Sequence, residues 1–313
     1  MIRIALAGLA LLAAVSAARA GAVLRVGDQK GNSQAVMQAA GVLKDVPYTI
    51  EWKEFPAAAP LLEALGAGAI DTGLVGDAPF TFAAAAGVPV KAIAAIQQSG
   101  EGLAVMVPKD SPARSLDDLR GKTIATGRGS IGHQLVLAAL EARGWSPSAV
   151  HLVFLAPPDA KIAYARGSVD AWSTWEPYVS QEEVLFGARR VVTGEGITPG
   201  LSFQVATPRA IGDRRAELAD FLRRLAAARA WSRDHVDDYA NVWGALMGIP
   251  ARVAVNWLSR ANIRLAPIDD RVLAGEQATI DLYARAGLIA HPIKAVDIVD
   301  QGFADAVTAD RSR

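Results

Sequence analysis

From residue 23 onward the chain alternates short apolar runs of β type with longer stretches in which apolar residues recur every three or four positions. That alternation is the pattern of parallel strands joined by crossover helices. It predicts ten strands, at residues 23–27, 49–52, 72–75, 90–96, 103–107, 122–126, 150–155, 171–174, 190–193 and 203–206. Ten strands are more than one small open sheet usually holds. After Pro208 the period changes, and residues 214–235, 237–248, 250–261 and 269–287 all read as amphipathic helices. The expectation is an α/β protein of two lobes followed by a helical C-terminal third. Two extended segments, "EGLAVMVPKDSP" and "GLSFQVATPRA", each reach a Pro after a β-type run, as strands crossing between lobes would; they read equally as ordinary sheet strands. Taken as crossings, they divide the chain into a first lobe of 21–105 plus 205–313 and a second lobe of 106–204.

The start of the chain has a different character. "MIRIALAGLALLAAVSAARA" carries a cationic Arg3, an apolar run too short to span a bilayer comfortably, and Ala18-Arg19-Ala20, which fits the small-x-small cleavage rule. This is a signal peptide cleaved after Ala20, which implies export. Its removal takes Arg3 and Arg19 from 32 basic residues set against 32 acidic ones, so the mature chain has a formal charge of −2. With no basic cluster, nucleic acid is not an expected partner. The apolar fraction of 51% and charged fraction of 20% describe a globular protein. The chain has no cysteine, which excludes disulfides, thiolate metal sites, a lipid-modified cysteine and any cysteine nucleophile. Its four histidines, 133, 151, 235 and 291, are far apart and show no metal-ligand spacing, so neither a metal nor a cofactor is expected.

In open parallel sheets ligands bind outside the carboxyl ends of the strands, so the turns after strands are searched first. Four stand out. "DQKGN" turns sharply at Gly31 and Asn32; "GDAP" offers Asp77 and Pro79 at a helix start; "GRGS" supplies two glycines and Ser130; "WEP" repeats the pattern of an acid followed by Pro. Each aims unpaired backbone N–H groups and the positive end of a helix dipole at one crevice, which can hold an anion without a matching Arg. Any one such turn is also explained by helix initiation alone. Four in succession, each with a polar side chain (Gln29, Asp77, Ser130, Glu176), favour a site.

His133 follows Ser130 by about one helical turn, so both could face the crevice. A Ser130/His133 hydrolase would need an imidazole-orienting group and an oxyanion hole, and "GRGSIG" does not match the Gly-x-Ser-x-Gly elbow. His133 therefore reads as a hydrogen-bond donor to an anion, with a ligand-free structural histidine as the alternative. In "VDAWSTWEPY", Trp172 reads as core and Trp175 as an aromatic wall for the apolar part of a small molecule.

Taken together, "LRVGDQKGN", "GLVGDAPFTFAAAAGVP", "GKTIATGRGSIGH" and "GSVDAWSTWEPY" resemble the periplasmic aliphatic sulfonate-binding proteins of ABC importers and their taurine- and nitrate-binding relatives, in order from about residue 23 to 207. The resemblance implies a type II periplasmic binding fold whose lobes close by a hinge through two crossover strands. It implies a monomer in the periplasm that delivers an anionic solute to an inner-membrane permease, without catalysis. It places ligand contacts at Gln29, Asp77, Ala78, Ser130, His133, Trp175 and Glu176. Taurine, nitrate, an aromatic sulfonate or a pyrimidine precursor are the alternative ligands, and a secreted hydrolase the alternative class. Related folds include a sulfinate desulfinase and pyrimidine-precursor synthases, both cysteine-dependent and so excluded here. Two positions depart from the family: Asp28 stands where an aromatic residue is usual, and Arg128 where Lys is frequent. A carboxylate beside an anion site is unfavourable unless Asp28 points away, pairs with Lys30 or meets a cationic group of the ligand.

Overall fold

The computed structural model describes residues 21–291 and 293–308; the predicted signal segment lies outside them. In chain order the elements are β1 (Val23–Gln29), α1 (Ser33–Ala39), β2 (Thr49–Phe55), α2 (Ala58–Gly66), β3 (Thr72–Gly76), α3 (Asp77–Ala85), β4 (Lys91–Gln97) and β5 (Leu103–Val107). Then come β6 (Thr123–Thr126), α4 (Ile131–Ala142), β7 (His151–Phe154), α5 (Pro157–Ala165), β8 (Ala171–Trp175), α6 (Tyr178–Phe186), β9 (Arg189–Thr193) and β10 (Leu201–Ala206). The last part holds α7 (Pro208–Asp213), α8 (Arg215–Asp234), α9 (Val236–Met247), α10 (Ala251–Ala261), β11 (Arg264–Ala266), α11 (Asp270–Arg285) and α12 (Ala304–Thr308). None of the described helices is long and apolar enough to cross a membrane.

The strands form two sheets, one ordered β11-β4-β10-β3-β1-β2 and the other β7-β6-β8-β5-β9. Both are mixed. β1 pairs in parallel with β2 and β3, and β6 with β7 and β8, whereas β10 is antiparallel to β3 and β4, and β5 to β8 and β9. The cause is the path of the chain between lobes. β10 begins with Leu201 beside Gln97, and β5 begins with Leu103 beside Trp175. Each returning strand thus enters at the carboxyl ends of its neighbours and must run back against them. The carboxyl ends of both sheets consequently face the passage between lobes.

That passage lies at residues 98–102 and 194–200, so β5 belongs wholly to the second sheet and β10 wholly to the first. The crossings are shorter than the two extended segments expected from the sequence, and they bring the lobe junctions to about residues 100 and 197 rather than 105 and 205. The two linkers touch: Gly194 N–H donates to Gly100 O (3.1 Å) and Leu103 O (2.8 Å), and Gln98 N–H to Gly200 O (3.0 Å). A Cβ on Gly100 would collide with the backbone of Gly194 and Glu195, so this contact requires glycine.

Each sheet is covered on both faces. In β5, Leu103, Val105 and Val107 join Leu135 and Leu140 on one side, while Ala104 and Met106 join Tyr164 and Trp172 on the other, the two-residue period of a buried strand. In the first lobe Phe203 and Val205 pack with Phe80, Ile280 and Tyr283, and Leu24 and Val26 with Phe221, Leu225 and Trp243. The C-terminal helices α8 to α11 therefore complete the first lobe. Trp172 is core, as expected, and packs against Tyr164 and Tyr178.

Candidate functional site

A cleft of about 950 Å³ opens where the carboxyl ends of the two sheets meet. Its walls come from the turns after β1, β2, β3, β6, β7 and β8, with Trp243, Met247, Trp257 and Ile263 closing one side. Of the residues expected at a ligand, Gln29, Asp77, Ser130, Trp175 and Glu176 line this cleft. Ala78 is fully buried in the first lobe's core, and His133 is 2% exposed; neither is among the lining residues.

The orientation of the acids decides what the cleft can hold. Asp28 is buried and accepts from the Ser33 (3.1 Å) and Gln34 (2.8 Å) N–H groups, so it closes the start of α1 with its own carboxylate. Burial outweighs these bonds and pushes its pKa up to about 6. Asp28 is not among the cleft-lining residues, and both of its carboxylate oxygens are engaged by the start of α1. Glu176 treats α6 in the same way: it accepts from Ser180 N–H (3.0 Å) and Oγ (2.9 Å), and from the Arg260 guanidinium (2.7 Å). Burial raises its pKa against those bonds. Asp77 lies near its own N–H and that of Ala78 at the start of α3, and accepts from Gln134 Nε2 (2.8 Å) and Thr279 Oγ1 (3.0 Å); burial again raises its pKa.

Two helix starts remain open, one in each lobe. α2 begins after Ala57 with no side-chain cap, and the Ala58 and Ala59 N–H groups line the cleft without an acceptor among the described residues. At α4, Ser130 is the N-cap and its Oγ accepts from His133 N–H (3.2 Å), leaving the first-turn N–H groups of Ile131 and Gly132 without an acceptor among the described residues. The α5 start also borders the cleft, but Pro157 and Pro158 occupy its first turn and have no N–H to offer. Lys30, Arg128, Lys161 and Arg229 line the walls as well. Arg128 is exposed, with its guanidinium 3.9 Å from the Phe154 ring centroid. Arg229 is buried and donates to Asn32 Oδ1 (2.7 Å).

Ser130 and His133 do not form a catalytic pair. The Ser130 hydroxyl donates to Gly127 O (2.7 Å), and the His133 ring nitrogen Nδ1 accepts from Gly129 N–H (3.2 Å). Burial, and then the nearby Arg128, lower the His133 pKa to about 4, so the imidazole is neutral and braces the loop from behind, edge-on to Phe154 (4.9 Å between centroids). Trp175 ends β8, half-buried on the cleft wall.

Sequence reasoning passed over several residues of the cleft and its supports. The turns "FPAAAP" after β2 and "LAPP" after β7 carry the same Pro-at-helix-start signal as the four that were found, and the strand-end rule would have reached them. Gln134 and Arg229 on the walls, and Arg260 behind Glu176, give no such signal, because each is a polar residue on a helix whose partner lies far away in sequence.

Comparisons of the family, of curated relatives and of solved structures agree. The NMT1/THI5-like family matches residues 50–235. A protein of Escherichia coli K12, named as an aliphatic sulfonates-binding protein, is 33% identical over 304 residues, 95% of this chain and 94% of its own length. Among solved structures, the alkanesulfonate-binding protein of Xanthomonas axonopodis pv. citri bound to MOPS superimposes with a TM-score of 0.84 at 30% identity, covering 89% of this chain and 98% of that one. The periplasmic aliphatic sulphonate-binding protein of Escherichia coli follows at 0.82 and 29%, covering 89% and 92%.

Proposed function

Because the chain belongs to the NMT1/THI5-like family, among its aliphatic sulfonate-binding proteins, we propose that it is a periplasmic solute receptor. It captures an alkanesulfonate as a monomer, releases it unchanged to an ABC-type permease, and reaches the periplasm by a cleaved signal peptide of residues 1–20. The observation that carries this reading is the pair of open helix starts, α2 in one lobe and α4 in the other, flanking a single cleft. A sulfonate stays ionised at physiological pH and offers three acceptor oxygens, so it matches N–H donors that converge from two helix ends. Gln29 adds an amide at the same edge, and Trp175 an apolar wall. Asp28, Asp77 and Glu176 are occupied by their own helix starts or by donors across the cleft, so these three do not meet the head group as free carboxylates.

Size favours a sulfonate with a substantial tail over nitrate. A cleft of about 950 Å³ is near the upper end of small-ligand sites, roughly 300–1,000 Å³, and its far side is lined by Phe55, Trp243, Met247 and Trp257. Each methylene buried there adds about 0.8 kcal/mol, or roughly fourfold in affinity.

The test is calorimetric titration of the protein, freed of carried-over ligand, with methane-, ethane- and butanesulfonate, MOPS, taurine, nitrate, sulfate and a hydroxymethylpyrimidine. Binding of the sulfonates alone, strengthening with tail length, supports the reading. Binding of nitrate or the pyrimidine with silence toward sulfonates overturns the ligand assignment. Turnover of an ester would restore the hydrolase alternative.

A further inference from the structure

Gln134 lies on α4 in the second lobe, one helical turn beyond Ser130, and is 2% exposed. Its Nε2 reaches across the junction to the first lobe, donating to Asp77 Oδ2 on α3 and Thr279 Oγ1 on α11, both at 2.8 Å. Thr279 in turn donates to the same Asp77 oxygen at 3.0 Å. The three buried side chains make a closed triangle. We propose that Gln134 is the clasp that couples seizure of the anionic head group to closure of the lobes, and so sets affinity without gripping the ligand itself. This rests on the solute-receptor reading and extends it to a positioning residue.

The argument is geometric. The open end of α4 and the clasp are on one rigid helix, 130 and 134 being four residues apart on the same face. Asp77 is the first residue of α3, another helix that starts at the cleft. The triangle can form only when these two helix ends are brought together. Asp77 sets a carboxylate between these two helix ends, so the clasp draws the lobes together before ligand arrives, and an anion held at the open end of α4 adds to that closure. The polar contacts that α11 makes with α4 elsewhere are weaker: Arg285 and Glu141 pair at 2.8 Å, but their side chains are 56% and 49% exposed, and such pairs add little. Tyr283 Oη donates to Ser130 O at a long 3.3 Å. A hydrogen bond to a buried carboxylate is stronger, and its loss lowers the closed population by about tenfold to a hundredfold. Apparent affinity falls in the same proportion, because only the closed fraction holds the ligand.

The experiment uses the chain's lack of cysteine. Cysteines introduced at exposed Lys53 and Asp159, one per lobe, carry spin labels whose distance distribution reports closure directly, with and without MOPS. Gln134→Met keeps the volume and removes the donors. The expected result is a shift of the ligand-free distribution toward long distances, together with a ten- to hundredfold loss of MOPS affinity expressed mainly in dissociation rate. Gln134→Glu sets a second carboxyl against Asp77, with Glu276 and Tyr283 the other titratable groups packed on this junction from α11. Affinity of that variant should approach wild type at pH 5, where the introduced carboxyl is protonated and can donate, and fall as pH rises, a profile that a merely structural role would not produce. Thr279→Val breaks the triangle from the opposite lobe and replaces Gln134→Met should that variant fail to fold. Wild-type distances and affinities within twofold in folded Gln134→Met or Thr279→Val, with a flat pH profile for Gln134→Glu, would overturn the clasp. If the wild type itself ignores MOPS and other sulfonates, the ligand assignment fails, while the ligand-free distances still decide the clasp.

Discussion

Asp28 offers the sharpest test of how this cleft tolerates acids. Its carboxyl is buried, and its pKa rises from an ordinary 3.8 to about 6 because lost hydration outweighs the N–H groups of Ser33 and Gln34. Between those two values the folded protein holds a proton at residue 28 that the unfolded chain has released. Stability from this group is therefore greatest below pH 4 and declines as pH rises to about 6. A difference of about two pKa units corresponds to on the order of 3 kcal/mol. For a chain of this size each kcal/mol moves the melting temperature by roughly 2 °C, so the group contributes a decline of about 6 °C across the window.

Asp28→Asn keeps one acceptor for the α1 start and removes the ionisation. Calorimetric melting of both proteins from pH 4 to 7.5 isolates the group, since Asp77, Glu176 and Glu276 are shifted in the same direction and remain in both. The variant-minus-wild-type difference should grow by about 6 °C from pH 4 to 6.5 and then level. The comparison is of slopes, because the substitution also removes a negative charge from near Arg229. A pH-independent difference would refute the burial argument. The ratio of taurine to ethanesulfonate affinity should be the same in both proteins, because the carboxylate faces α1; a ratio that changes tenfold would put it at the ligand.

Three other substitutions test the rest of the site. Ser130→Ala should lower stability by about 1 kcal/mol in urea titrations through loss of the α4 cap, yet change sulfonate affinity less than threefold, because the hydroxyl proton is given to Gly127 O. Arg128→Gln should slow association with a sulfonate severalfold at low ionic strength and leave it unchanged at about 1 M salt, measured by stopped-flow tryptophan fluorescence; an equal effect at both would mean direct contact. Arg260→Met, which strips Glu176 and Glu183 of a shared cation at 2.7 and 2.9 Å, should cost about 2–4 kcal/mol, and adding Glu176→Gln should return more than about 1 kcal/mol of it; strict additivity would show the contact to be idle.

The strands were legible because each carries its own signal. All ten expected runs are strands, and the four C-terminal helices fall within two residues of their predicted limits. β11 escaped notice because three residues, Arg264 to Ala266, are too few to show a period and gain their strand geometry from pairing with β4. The opposite direction of β5 and β10 was also hidden, since it follows from where the chain re-enters each sheet rather than from residue type. The site shows the same division. Asp77, Ser130 and Glu176 were recognisable as helix-start residues, and each sits at one. Where their polar atoms point was not recognisable, because the partners that turn Asp77 and Glu176 are Gln134, Thr279 and Arg260, between 57 and 202 residues away in sequence. His133 stays off the cleft wall for a local reason. Gly129 N–H, only four residues back, is close enough to claim its ring nitrogen.

The distribution of caps has a consequence for how such a cleft discriminates. An acid beside an anion site is costly only if its charge is free to face the anion. Here Asp28 and Glu176 complete the first turns of α1 and α6, so their charge is answered whether or not a ligand is bound. The same logic applied to every helix start would leave nothing for a ligand to do. α2 and α4 break the rule, one in each lobe, since α2 has no side-chain cap and Ser130 takes only the His133 N–H of α4, and a group with several acceptor oxygens held between the lobes suits their remaining first-turn N–H groups. A carboxylate offers two oxygens in one plane, whereas a sulfonate offers three around a tetrahedral centre. On the proposed function, the pair of open ends selects for shape as well as charge, and it rewards the closed arrangement in which both ends reach the same head group.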